Sequence, residues 1–109
     1  MARAYEHPGW RLYPGARGME KRARIEAPPY WIGLGISTAE GLYIASARIE
    51  GVFHAAPPNE PFNLAAALEG MPLGEQAEML AHARASLMEI HGPPPDAVPA
   101  LIRRLAAAP

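Results

Sequence analysis

The chain has 109 residues, half of them hydrophobic, no cysteine and a net charge of −1. That length suits one domain, residues 1–109, with a modest core that needs no metal or disulfide support. The absence of thiols excludes a disulfide framework, thiolate chemistry and cysteine-based zinc sites.

Charge is spread unevenly. Residues 1–24 carry six Arg or Lys against two Glu, giving +4, whereas residues 25–109 carry four Arg against nine acids, giving −5. The overall pI of about 6.4 lies well below that of a dedicated nucleic-acid-binding domain. The longest uncharged run, residues 27–39, is 13 residues long. A membrane helix needs about 20, so no membrane partner is expected. The first residues lack the apolar core of a secretory signal, which makes the cytoplasm the expected location.

Residues 1–18 read as irregular. Pro8-Gly9, Pro14-Gly15 and Arg17-Gly18 punctuate the segment as turns, and Tyr5, Trp10, Leu12 and Tyr13 are its apolar anchors. Residues 19–56 read as a sheet region. Alternation over 19–27 predicts a strand with Glu20, Arg22, Arg24 and Glu26 on a solvated face. At Pro28-Pro29 the apolar parity changes from odd (Ile25, Ala27) to even (Ile32, Leu34), which predicts a kink or bulge at an edge or corner.

Strands over 30–38 and 42–54 flank Glu40-Gly41, and a two-residue loop there would place Ile32 opposite Ile49 and Ile36 opposite Ala45. One face then carries Tyr30, Ile32, Leu34, Ile36, Tyr43, Ala45, Ala47, Ile49 and Phe53, the expected core. The other carries Trp31, Ile44, Arg48, Glu50 and Val52 among small residues, with Arg48 diagonal to the Trp31 indole and placed for a cation–π contact.

Residues 57–109 read as helical. Asn59 or Asn63 caps a helix over 60–69 that Gly70 ends. A longer helix over 74–91 turns Leu73, Leu80, Ala83, Leu87 and Ile90 to one side, and Gly92-Pro93 closes it. Asp96 opens a last helix over 97–107, with Val98, Leu101, Ile102 and Leu105 inward. Strands before helices predict an α+β fold: a small antiparallel sheet packed on one face by the 74–91 helix, with the last helix beside it.

No catalytic signature accompanies this architecture. Ser37, Ser46 and Ser86 lie in no nucleophile elbow. Gly33-Leu34-Gly35 alternates inside a strand, which points to close backbone approach rather than a phosphate loop. Glu78, His82 and Glu89 share one stripe of the predicted helix and are the weak metal candidates, but their spacing is that of a wet helix face. His54 and His91 read as a strand-end and a helix-end residue. No cofactor is expected.

The half-apolar outer face of the sheet suits an interface. The expected function is therefore a non-enzymatic protein-binding or regulatory module acting through homo- or hetero-oligomeric contacts. Trp31, Ile44, Arg48, Glu50 and Val52 are its partner-binding candidates. The alternative is nucleic-acid binding through Arg17, Lys21, Arg22 and Arg24. A small metal- or ligand-binding domain is the third reading.

Overall fold

A computed structural model describes residues 11–13, by their backbone, and residues 20–107. The chain folds as α+β. Among the described residues five strands and three helices follow in order: β1 (Arg11–Tyr13), β2 (Lys21–Ala27), β3 (Tyr30–Ala39), β4 (Tyr43–Ala56), α1 (Glu60–Leu68), α2 (Glu75–Ala85), β5 (Glu89–His91) and α3 (Ala97–Ala107). The sheet runs β1-β4-β3-β2, all pairs antiparallel, and β5 pairs with the far end of β4. The rest of the predicted irregular segment, residues 1–10 and 14–18, lies outside the described residues.

Pro28-Pro29 forms a hairpin loop, closed by Ala27 opposite Tyr30. The parity change read as a kink is the register of that hairpin. With a two-residue loop, odd positions face even ones: Ile25 meets Ile32 and Ala23 meets Leu34. The two prolines thus sit at a corner, where no ladder donor is needed.

The second loop differs from the predicted one. Three residues, Glu40 to Leu42, lie between the pair Ala39–Tyr43, and the Leu42 amide donates to the Ala39 carbonyl at 3.1 Å. Glu40 and Gly41 both have positive φ, 57° and 68°. A bulge follows: Thr38 faces Ile44 but Ser37 faces Ser46, leaving Ala45 extra on β4. Loop and bulge each shift the register by one residue. Beyond the bulge the total shift is two, so Ala47, Ile49 and Phe53 keep the predicted face, although Leu34 and not Ile32 meets Ile49. Between loop and bulge the shift is one, and the faces exchange. Ile44, expected outside, is fully buried, while Tyr43 and Ala45, expected inside, are exposed.

The core is one cluster. Ile32, Leu34, Ile36, Ile44, Ala47, Ile49 and Phe53 of the sheet meet Leu64 and Leu68 of α1, Ala77 and Ala81 of α2, and Val98, Leu101, Ile102 and Leu105 of α3. The helices therefore share one side of the sheet. α1 lies on β4 and α3 lies on β2 and β3, whereas α2 packs mainly on α3 and α1. The expectation that the long helix covers the sheet is corrected accordingly: its place is taken by α1 and α3.

The same helix is shorter than predicted. It stops at Ala85, and the Ser86 hydroxyl donates to the Ala83 carbonyl at 2.6 Å. Leu87 is 58% exposed rather than inward. From Leu87 to His91 the sequence alternates, and period two prevails: Ile90 packs against the core while Glu89 and His91 face out, paired with His54–Ala56. None of the helices among the described residues is long and apolar enough to cross a membrane.

Candidate interaction surface

The register lays out the sheet face that the helices leave uncovered. Three rows of side chains run across it: Arg22–Gly35–Arg48, Arg24–Gly33–Glu50 and Glu26–Trp31–Val52. The central strand supplies two glycines in the first two rows. A Cβ on Gly33 would lie 3.2 Å from Cγ of Glu50 and 3.3 Å from Cβ of Arg24. The close approach read from Gly33-Leu34-Gly35 is thus made at Gly33 by the Ala23 carbonyl and by side chains of the two flanking strands.

The bare glycines let one ion pair cross β3 altogether. Arg22 Nη2 donates to Glu50 Oε1 at 3.0 Å, joining β2 to β4. Glu50 is 8% exposed and Val52 is also buried, although no helix covers them; Val52 was expected exposed. It stands between Trp31 on β3 and the register position of Leu12 on β1.

Trp31 does hold a guanidinium, but Arg24's rather than Arg48's, with Arg24 Cζ 4.9 Å from the ring centre. The register shift explains the exchange, because Val52 and not Glu50 lies opposite Trp31. Arg24 also pairs with Glu26. Arg48 is exposed and its guanidinium has no partner among the described residues. Near the end of β3, Thr38 Oγ1 donates to Glu20 Oε2 at 2.6 Å, which holds the Glu20 carboxyl below its ordinary pKa.

Of the five partner-binding candidates, Trp31, Arg48, Glu50 and Val52 share this face and Ile44 belongs to the core. Of the nucleic-acid candidates, Arg22 and Arg24 are answered by Glu50 and Glu26, and Lys21 lies on the helix-facing side, level with Ile36. Arg17 lies outside the described residues. The three-residue metal stripe is not brought together: Glu78 and His82 stay one turn apart on α2, where Glu78 binds Arg103 of α3, and Glu89 is carried away on β5. The Glu78 hydrogen bond holds the Arg103 guanidinium above its ordinary pKa. Sequence reasoning missed that Arg22 pairs with Glu50; the signal was the Gly33 and Gly35 alternation once β2 is placed beside β3.

No protein-family model matches the chain, and no curated protein matches it in sequence. Among solved structures the fold is similar to a chain from the archaeal lipoylation system of Thermoplasma acidophilum, described as a bi-partite lipoate protein ligase and its E2 lipoyl domain. The likeness covers 86% of this chain and 97% of that one, with a TM-score of 0.65 and 17% identity. At that identity the two share a fold.

Proposed function

We propose that this protein is a non-enzymatic protein-binding module that works as one part of an assembly, through the uncovered face of its sheet. The observation that carries the reading is the pattern on that face. Trp31 is pinned by Arg24, Glu50 is locked by Arg22, and the exposed Arg48 beside them has no ion-pair partner among the described residues. Side chains held in place lose little freedom on docking, which favours a recognition surface. Tryptophan and arginine are also the residues that most often dominate such contacts. The chain of similar fold comes from a system described as a bi-partite lipoate protein ligase and its E2 lipoyl domain, that is, one of more than one part.

The partner is a protein, either a second copy or a different chain. The test is tagged capture from the native source, beside the solution mass of the purified protein. A stoichiometric partner or a dimer is expected, and Trp31→Arg, on a surface position of β3, should abolish it. A monomer whose Trp31→Arg variant captures the same proteins as the wild type overturns the proposal.

A further inference from the structure

His54 and His91 lie directly opposite each other on β4 and β5. Their ring centres are 5.4 Å apart and their planes are inclined by 59°. Glu89, two residues before His91 on the same side of β5, brings Oε2 to 3.5 Å from His91 Nε2. Loss of the predicted long helix makes this neighbourhood: Glu89 leaves the stripe of Glu78 and His82 and joins two imidazoles instead.

Two facing imidazoles are a ligand pair for zinc, nickel or copper. An imidazole nitrogen binds zinc at about 2.0–2.1 Å, so two rings sharing one tetrahedral ion have centres roughly 5 Å apart. The observed spacing fits. Among the described residues no group of three His, Asp or Glu is placed to hold a metal ion, so the site is the pair of imidazoles and water fills the ion's other positions. His91 and Glu89 are open to solvent, which gives the ion a path in.

We propose that His54 and His91 bind one divalent transition-metal ion that clips β5 to β4, with Glu89 orienting the His91 ring. β5 has only three residues and leads through Gly92 into the segment before α3. A clip there would tie the α2–α3 connection to the sheet. The proposal is independent of the protein-binding role.

The test is titration of the full chain with zinc chloride, followed by calorimetry and thermal unfolding. One equivalent of zinc should bind at about pH 7.5 and raise Tm, because the ion binds the folded state. Binding should weaken as the pH is lowered, because protons compete with the ion for the ligand nitrogens. His54→Gln and His91→Gln should each lower the affinity about tenfold or more, and Glu89→Gln by less. His82→Gln should change nothing. His91→Gln alters an exposed side chain, and circular dichroism checks that it is folded. No heat and no rise in Tm at millimolar zinc overturns the proposal. So does zinc binding that survives His91→Gln, or that is lost in His82→Gln.

Discussion

At Gly51 the backbone of β4 passes so close to β3 that a Cβ would lie 2.2 Å from the carbonyl oxygen of Trp31 and 2.9 Å from Cα of Ile32. Its φ of +140° is also one that side-chain-bearing residues rarely adopt. The obstruction is backbone, which no rotamer change relieves. Gly51→Ala is expected to cost about 2–3 kcal/mol, read as a lower urea midpoint. A midpoint equal to wild type would show that the two strands are further apart there. Glu20 makes a subtler case. Its carboxyl pKa is lowered in the folded protein, first by the Thr38 hydroxyl and then by the Thr38 backbone. The unfolded chain therefore takes up that proton at higher pH. The group's contribution is present above the ordinary carboxylate pKa and is lost as pH falls through the lowered folded value. Thr38→Val should raise the Glu20 midpoint in an NMR titration; an unmoved midpoint would assign the shift to another cause.

The bulge at Ala45 decides what the first turn of β4 buries. Ile44 is in the core, and its backbone is held from both sides: its amide donates to Met71 O at 2.8 Å and its carbonyl accepts from Gly70 at 2.7 Å. Farther along, the Ala47 amide donates to the Glu69 carboxylate at 3.1 Å. Ile44→Ala should therefore cost about 2–5 kcal/mol, whereas Ala45→Lys should stay within about 0.5 kcal/mol. A two-residue loop at Glu40-Gly41 would reverse that order, so chemical denaturation of the pair separates the two registers. The strand runs, the core face beyond the bulge, α1 and α3 were legible because their periods are unambiguous. The bulge was not, since nothing in Ile44-Ala45-Ser46 marks an extra residue. Nor was β5. Over Leu87 to His91 the apolar positions satisfy both a helical stripe and an alternating strand, and only pairing with His54–Ala56 separates them.

The two faces of the sheet bear different constraints. The inner one packs Ile32, Leu34, Ile36 and Ile49 beneath α1 and α3, so a substitution there acts on folding. The outer one is stiffened across three strands by Arg22–Glu50 and by Arg24 on Trp31, neither of which involves a helix. Arg48 takes part in neither contact and is exposed. If the outer face docks a partner, stability and binding come apart at this residue. Arg48→Glu should leave the unfolding free energy within about 0.5 kcal/mol of wild type. It should also slow association with the captured partner, because a charge near the contact acts mainly on the encounter. The wild-type association rate should fall as salt is raised, while the rate of the variant should depend on salt less or in the opposite sense. Surface plasmon resonance at two ionic strengths measures both rates. Equal association rates for the two proteins at low salt would remove Arg48 from the interface and leave Trp31 as its anchor.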